Sequence, residues 1–200
     1  MNTSVHQQIT QIVKKAKPGK LLFPTDFRGK GSEAAIKMSL SRLVREGKID
    51  RITHGIYMIA KHHPTMGKLK PSLDEIAQAI AKREHVRIRP SGAYALNKLG
   101  LSNQIPTRLV YITDGQPRQI QIGKGGIKFK PTTPKKFAMS GEISGLLIQA
   151  LEELGPRQVN PDMFNKIQNL LRKEDPKKLS HDIKLAPAWI NDLFISINSQ

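Results

Sequence analysis

Residues 21–59, LLFPTDFRGKGSEAAIKMSLSRLVREGKIDRITHGIYMI, constrain the fold more than any other stretch of the chain. Pro24-Thr25-Asp26-Phe27 reads as a short helical start, and Arg28-Gly29-Lys30-Gly31 as a turn. An amphipathic helix follows from Ser32 to about Glu46, and Gly47 stops it. Two short β-rich runs come next, 49–53 and 56–59, joined at His54-Gly55. This is the order of a winged helix-turn-helix. In such a module the second helix lies in the DNA major groove, and the hairpin reaches the backbone beside it.

The phase of the longer helix separates its two faces. With Ile36 as origin and 100° per residue, Leu40, Leu43 and Val44 fall within about 80° of it and form the packing face. Ala34, Lys37, Met38, Ser41, Arg42 and Arg45 lie around the other side, which is polar, positive and dotted with small residues. Small side chains let a helix sit deep in a groove, and Lys and Arg supply phosphate and guanine-edge contacts. Ser32 is the expected N-cap. The bland reading is an ordinary solvated face. The turn, the glycine stop and the hairpin argue for DNA, and so does the charge.

That charge is large. The 200 residues carry 33 Lys+Arg against 16 Asp+Glu, a formal net of +17. Residues 1–70 hold 14 basic and 4 acidic residues, residues 71–140 hold 12 and 4, and residues 141–200 hold 7 and 8. A polyanionic partner is implied, most often nucleic acid. An anionic membrane surface is the competing polyanion. No apolar run approaches the roughly 20 residues that span a bilayer, and no amphipathic helix sets a Lys-rich face against bulky aromatics. The first 15 residues are polar and helical in pattern, with no signal-peptide core. These readings lead us to expect a cytoplasmic protein without membrane partners. Without Cys, disulfides, Cys-based zinc sites and thiol catalysis are excluded.

The expected organisation is α+β. A winged-helix domain spans 1–60, with an opening helix over about 4–16. A polar linker covers 61–70. A mixed α+β domain spans 71–200 and ends in a helical tail from about residue 143. In that domain helices are expected at 72–83, 93–99, 143–154, 162–172 and 188–197, and strands at 86–89, 108–113, 118–122 and 126–130. Arg118, Lys124, Lys128 and Lys130 make the last two strands a basic β region that offers a possible nucleic-acid contact.

Catalytic and metal constellations are weak. Gly123-Lys124-Gly125-Gly126 lies between two strands rather than before a helix, so a tight hairpin explains it better than a phosphate loop. His62-His63 are adjacent and point apart on an extended chain, with no third ligand at suitable spacing. Glu152-Glu153, Glu174-Asp175 and Asp162 read as solvated helix charges. His54 and Arg51 flank the expected wing tip. His54 there either grips a phosphate or is idle, whereas Arg51 is assigned to backbone grip. Tyr57 and Tyr111 are expected in the core, and Trp189 is expected to anchor the tail. No catalytic residue, metal or cofactor is expected.

Residues 21–59 with the run Gly47-Lys48-Ile49, Arg51, Gly55, Tyr57, and then Ser91 to Gly115 (SGAYALNKLGLSNQIPTRLVYITDG), resemble AbiEi-type antitoxins over roughly residues 5–155. The resemblance implies a type IV toxin–antitoxin system. Such antitoxins repress their own operon by binding inverted repeats in duplex DNA. They oppose a nucleotidyltransferase-like toxin without a tight complex, and the antitoxic activity belongs largely to the second domain. A monomer or weak dimer is expected. Two alternatives stay open: an RNA-binding module using the basic β region, and a nucleic-acid-modifying enzyme delivered by the winged helix.

Overall fold

The computed structural model describes residues 4–198, and the chain divides into two compact units, 1–79 and 80–200. The first unit opens with α1 (Val5–Lys15), capped by Ser4, whose hydroxyl accepts from the Gln7 amide while the Gln7 side chain accepts from the Ser4 amide. This reciprocal pair satisfies two of the amides a helix start leaves open. Strand β1 (Leu21–Leu22) and a 3₁₀ turn (Pro24–Phe27) follow, then α2 (Glu33–Arg45), β2 (Ile49–Thr53) and β3 (Ile56–Ile59). Gly47 takes φ +69°, a left-handed value that a residue without a Cβ adopts freely, and the Gly47 and Lys48 amides turn back onto the Val44 and Leu43 carbonyls. The sheet order is β1-β3-β2, all antiparallel, with Leu21 opposite Met58 and Ile49 opposite Ile59. Ile9, Val13, Leu22, Phe27, Ile36, Leu40, Leu43, Ile49, Tyr57 and Ile59 close one core. Each such side chain contributes roughly 1.5–3 kcal/mol by leaving water. This is the winged helix-turn-helix expected from the sequence.

The stretch expected as a linker is a second hairpin instead. Strands β4 (Lys61–His63) and β5 (Gly67–Leu69) pair antiparallel, with His62 opposite Lys68. Its polar, Pro- and Gly-containing sequence lacks the apolar alternation that marks a half-buried strand. The Ser72 hydroxyl then accepts from the Glu75 amide, while the Glu75 carboxylate accepts from the Ser72 amide and hydroxyl, and helix α3 (Leu73–Glu84) begins. The division between units falls inside this helix, not in the 61–70 stretch.

The second unit holds β6 (Ile88–Ser91), α4 (Gly92–Lys98), β7 (Arg108–Thr113), β8 (Arg118–Ile122) and β9 (Gly125–Pro131). Helices α5 (Pro134–Phe137), α6 (Glu142–Leu154), α7 (Pro161–Leu171), α8 (Pro176–Ile183) and α9 (Ala188–Asn198) follow. The first strand starts two residues later than the alternation of 86–89 suggested, because Arg87 is held in the Asp114 turn, its amide and Nε each 2.7 Å from that carboxylate. The sheet order is β6-β7-β9-β8, and β9 runs parallel to β7 while pairing antiparallel with β8. Helices α4 and α6 to α9 build a separate core around Leu96, Leu147, Ile148, Leu151, Ile167, Phe194 and Ile197, on which Trp189 packs.

The start of α6 is finished from far along the chain. The Ile143 and Ser144 amides donate to Glu174 at 2.8 Å each. The Ser140 and Gly141 amides donate to Asp182 at 2.8 and 2.9 Å, and the Ser144 hydroxyl donates to it at 2.7 Å. Asp182 is fully buried. Burial alone would raise its carboxyl; bonds from His181, Ser144 and the two amides outweigh that and hold it below the ordinary aspartate value. Glu174 therefore caps a helix and is not a free solvated charge.

Candidate nucleic-acid interface

Helix α2 is the strongest candidate surface. The Ser32 hydroxyl accepts from the Ala35 amide at 3.3 Å, as expected of an N-cap. Before it, Gly31 passes so close to α1 that a β-carbon there would stand 2.5 Å from Val5 Cγ2, which fixes how the turn delivers the helix. Ile36, Leu40 and Leu43 point inward and are buried, while Val44 is half-buried. Ser39 is buried too, and the sequence reading missed it. Its hydroxyl lies 3.0 Å from His6 Nδ1, a polar tie between α1 and α2 that apolar periodicity cannot reveal.

Ala34, Lys37, Met38, Ser41, Arg42 and Arg45 are all exposed, so the structure brings these six onto one open face. Met38 keeps 59% of its surface open. Lys37 pairs with Glu33 one turn away at 2.5 Å, and this hydrogen bond together with the lysine charge lowers the Glu33 carboxyl below its ordinary value. Both groups are more than half exposed, so the pair contributes little to stability. At the wing, Arg51 and His54 are exposed, with Arg51 Nη2 3.3 Å from His54 Nδ1. The contact needs a neutral His54 whose Nδ1 accepts.

In the second unit the register sorts the basic residues. Gln119, Lys128 and Val110 share one row of the sheet, and Gln121, Gly126 and Arg108 share the next. Lys130 stands beside Ile112 on that same face. Paired residues in adjacent strands point the same way. Lys124 is exposed in the β8–β9 turn. Arg118 is a correction. It pairs with Phe129, on the opposite face, where its guanidinium lies 5.3 Å from the Phe129 ring and 2.6 Å from a Glu84 oxygen. It holds the fold together and does not belong with Lys128 and Lys130. Arg108, exposed and beside Gly126, takes its place on the basic face. Only the parallel β7–β9 pairing puts it there, and no local pattern announces that pairing. Tyr111 and Phe129 stack at 5.9 Å on the buried side, so the basic face offers no ring to stack a base on.

Among the described residues, no group of three or more His, Asp or Glu is placed to hold a metal ion, and no helix is long and apolar enough to cross a membrane. A family model described as "Family of unknown function (DUF6088)" matches residues 8–179. No curated protein matches the chain. A solved structure, the crystal structure of the RV2827C protein from Mycobacterium tuberculosis, aligns with a TM-score of 0.46 at 12% identity, over 93% of this chain and 78% of that one.

Proposed function

We propose that this chain, which belongs to the DUF6088 family of unknown function, is a cytoplasmic, sequence-selective duplex-DNA-binding regulator and not an enzyme. The observation that carries the reading is the exposed face of α2, which sets two arginines, a lysine and a serine beside Ala34 and the open Met38, with a wing next to it. In this reading Lys37, Ser41 and Arg42 read base edges in the major groove, and Arg51 with His54 holds the backbone. Arg45, Met38 and Ala34 complete the groove-facing surface, and the start of the helix at Ser32 approaches a phosphate. The protein acts as a monomer or weak dimer on inverted repeats.

The resemblance to AbiEi-type antitoxins extends the proposal: the DNA bound is the operator of the chain's own operon, and the second unit opposes a nucleotidyltransferase-like toxin without forming a tight complex. The face of Arg108, Lys128 and Lys130 supports a role for that unit with phosphate backbones. Its lack of exposed rings favours duplex over single-stranded RNA.

Gel shifts on the chain's own upstream region, with unrelated duplex as competitor, test the proposal. Selective binding that falls steeply with salt is the expected result. Equal affinity for every duplex would reduce the reading to non-specific attraction. Growth rescue on co-expression with the neighbouring gene tests the antitoxin role.

A further inference from the structure

The hairpin β4–β5 has no apolar reason to exist as it does. Every residue from 61 to 68 is exposed, on both faces of the ribbon. Two-stranded ribbons without a packed face are marginal in water. Polar ties hold this one. His63 Nδ1 sits 3.3 Å from the Thr65 amide, 3.0 Å from the Thr65 hydroxyl and 3.4 Å from the Met66 amide, which gathers the turn around one acceptor. Lys68 is ion-paired with Asp50 of β2. The Lys61 stem crosses Gly19, its Cδ 3.1 Å from where a β-carbon on that glycine would stand. Lys61 also helps to lower the Glu75 carboxyl, whose hydrogen bonds from Ser72 are the larger cause.

The arm is chemically one-sided. Residues 51–73 contain no Asp or Glu, but hold Arg51, Lys61, Lys68, Lys70 and three histidines. At its tip stand Pro64 and Met66, and Met66 keeps 74% of its surface open. An exposed methionine at the end of a basic ribbon gives the fold nothing. Basic elements carrying apolar tips suit the minor groove, where the cations meet phosphates and the tip presses on a base step.

We propose that this hairpin is a second DNA-contacting arm of the first unit, with Lys61 and Lys70 on phosphates and Met66 against the minor-groove floor. The inference rests on the DNA-binding reading above. It is tested in the full chain with Lys61→Gln/Lys70→Gln, which keeps most of each aliphatic stem, and with Met66→Ser, which alters a side chain the fold does not use. Binding is measured on the chain's upstream duplex across a salt series, beside Arg42→Ala and Arg45→Ala as helix controls. The double variant should flatten the log K against log salt slope by about 1.8 and weaken binding about 30-fold at 0.15 M salt, the share of two cations in counterion release counted from 1 M. Met66→Ser should weaken binding on the order of tenfold with the slope unchanged. An unchanged slope and affinity in both arm variants, with Arg42→Ala impaired, overturns the arm and leaves the reading of α2 standing. Arm and helix variants that all match the parent overturn the DNA reading and the arm with it. Phosphatidylserine vesicles bound through Met66, with DNA affinity untouched by Met66→Ser, overturn the proposal in favour of a lipid surface.

Discussion

Replacing Asp182 with alanine should unfold the second unit far more easily. The variant leaves the Ser140 and Gly141 amides, now donating at 2.8 and 2.9 Å, without an acceptor. The Ser144 hydroxyl can turn to Glu174 Oε2, already 3.1 Å away, so it is not counted. A buried donor left unsatisfied costs about 1–3 kcal/mol; the Gly141 bond is buried and the Ser140 bond partly so, which together put the loss near ~3 kcal/mol. With a urea m-value of about 1.5 kcal/mol/M, the midpoint falls by about 2 M. The chain's single Trp, Trp189, packs on this unit's core, so its fluorescence follows the right transition. The pH dependence adds a second mark. The folded carboxyls of Asp182 and Glu174 are both held below their ordinary values, so their stabilisation is present above the unfolded values, near 3.9 and 4.3, and is lost as pH falls through the lower folded ones. The parent should therefore weaken steeply on acidification below about pH 4, and Asp182→Ala less steeply. A midpoint drop under about 0.5 M with unchanged m would refute the argument that this carboxylate completes α6.

Arg42→Ala should cost about 1–3 kcal/mol of operator binding and relax one position of the site, as read by gel shifts on single-base variants. Lys128→Gln with Lys130→Gln should flatten the salt slope by as much as about 2 while sparing sequence choice. Arg118→Ala should instead destabilise the second unit in the Trp189 assay and leave the salt slope alone, because its guanidinium is committed to Glu84 and the Phe129 ring. Gly31→Ala should cost about 1–3 kcal/mol by driving a methyl into Val5, seen as faster hydrogen exchange across residues 5–59. A rate equal to the parent's would show that the turn simply gives way.

What the sequence disclosed was local. Ile36, Leu40 and Leu43 announce their face by helical spacing, and Ser32 and Gly47 announce the ends of the helix by their own chemistry. The strand 108–113 was legible to the residue for the same reason. Two of the misses depend on partners distant in sequence, and one on the shortness of an element. Helix α8 has only eight residues, starts at Pro176 and carries its apolar side chains sparsely. The hairpin at 61–69 is held by the ion pair of Lys68 with Asp50 and by the Lys61 stem lying over Gly19. Arg118 and Arg108 are both basic strand residues, and only the register tells the structural one from the surface one.

The core of the second unit has a consequence for the order in which the chain takes shape as it is made. The first unit's core is complete with Ile59, so its helices and wing can close early. The second unit's core draws on Ala95 at one end and Ile197 at the other, and the amides that open α6 wait for residues 174 and 182. At about 5–20 residues per second, that leaves roughly 7–28 seconds in which a folded, basic first unit precedes an unfinished second one. In the proposed DNA-binding role, the winged helix would thus be complete before the second unit is finished.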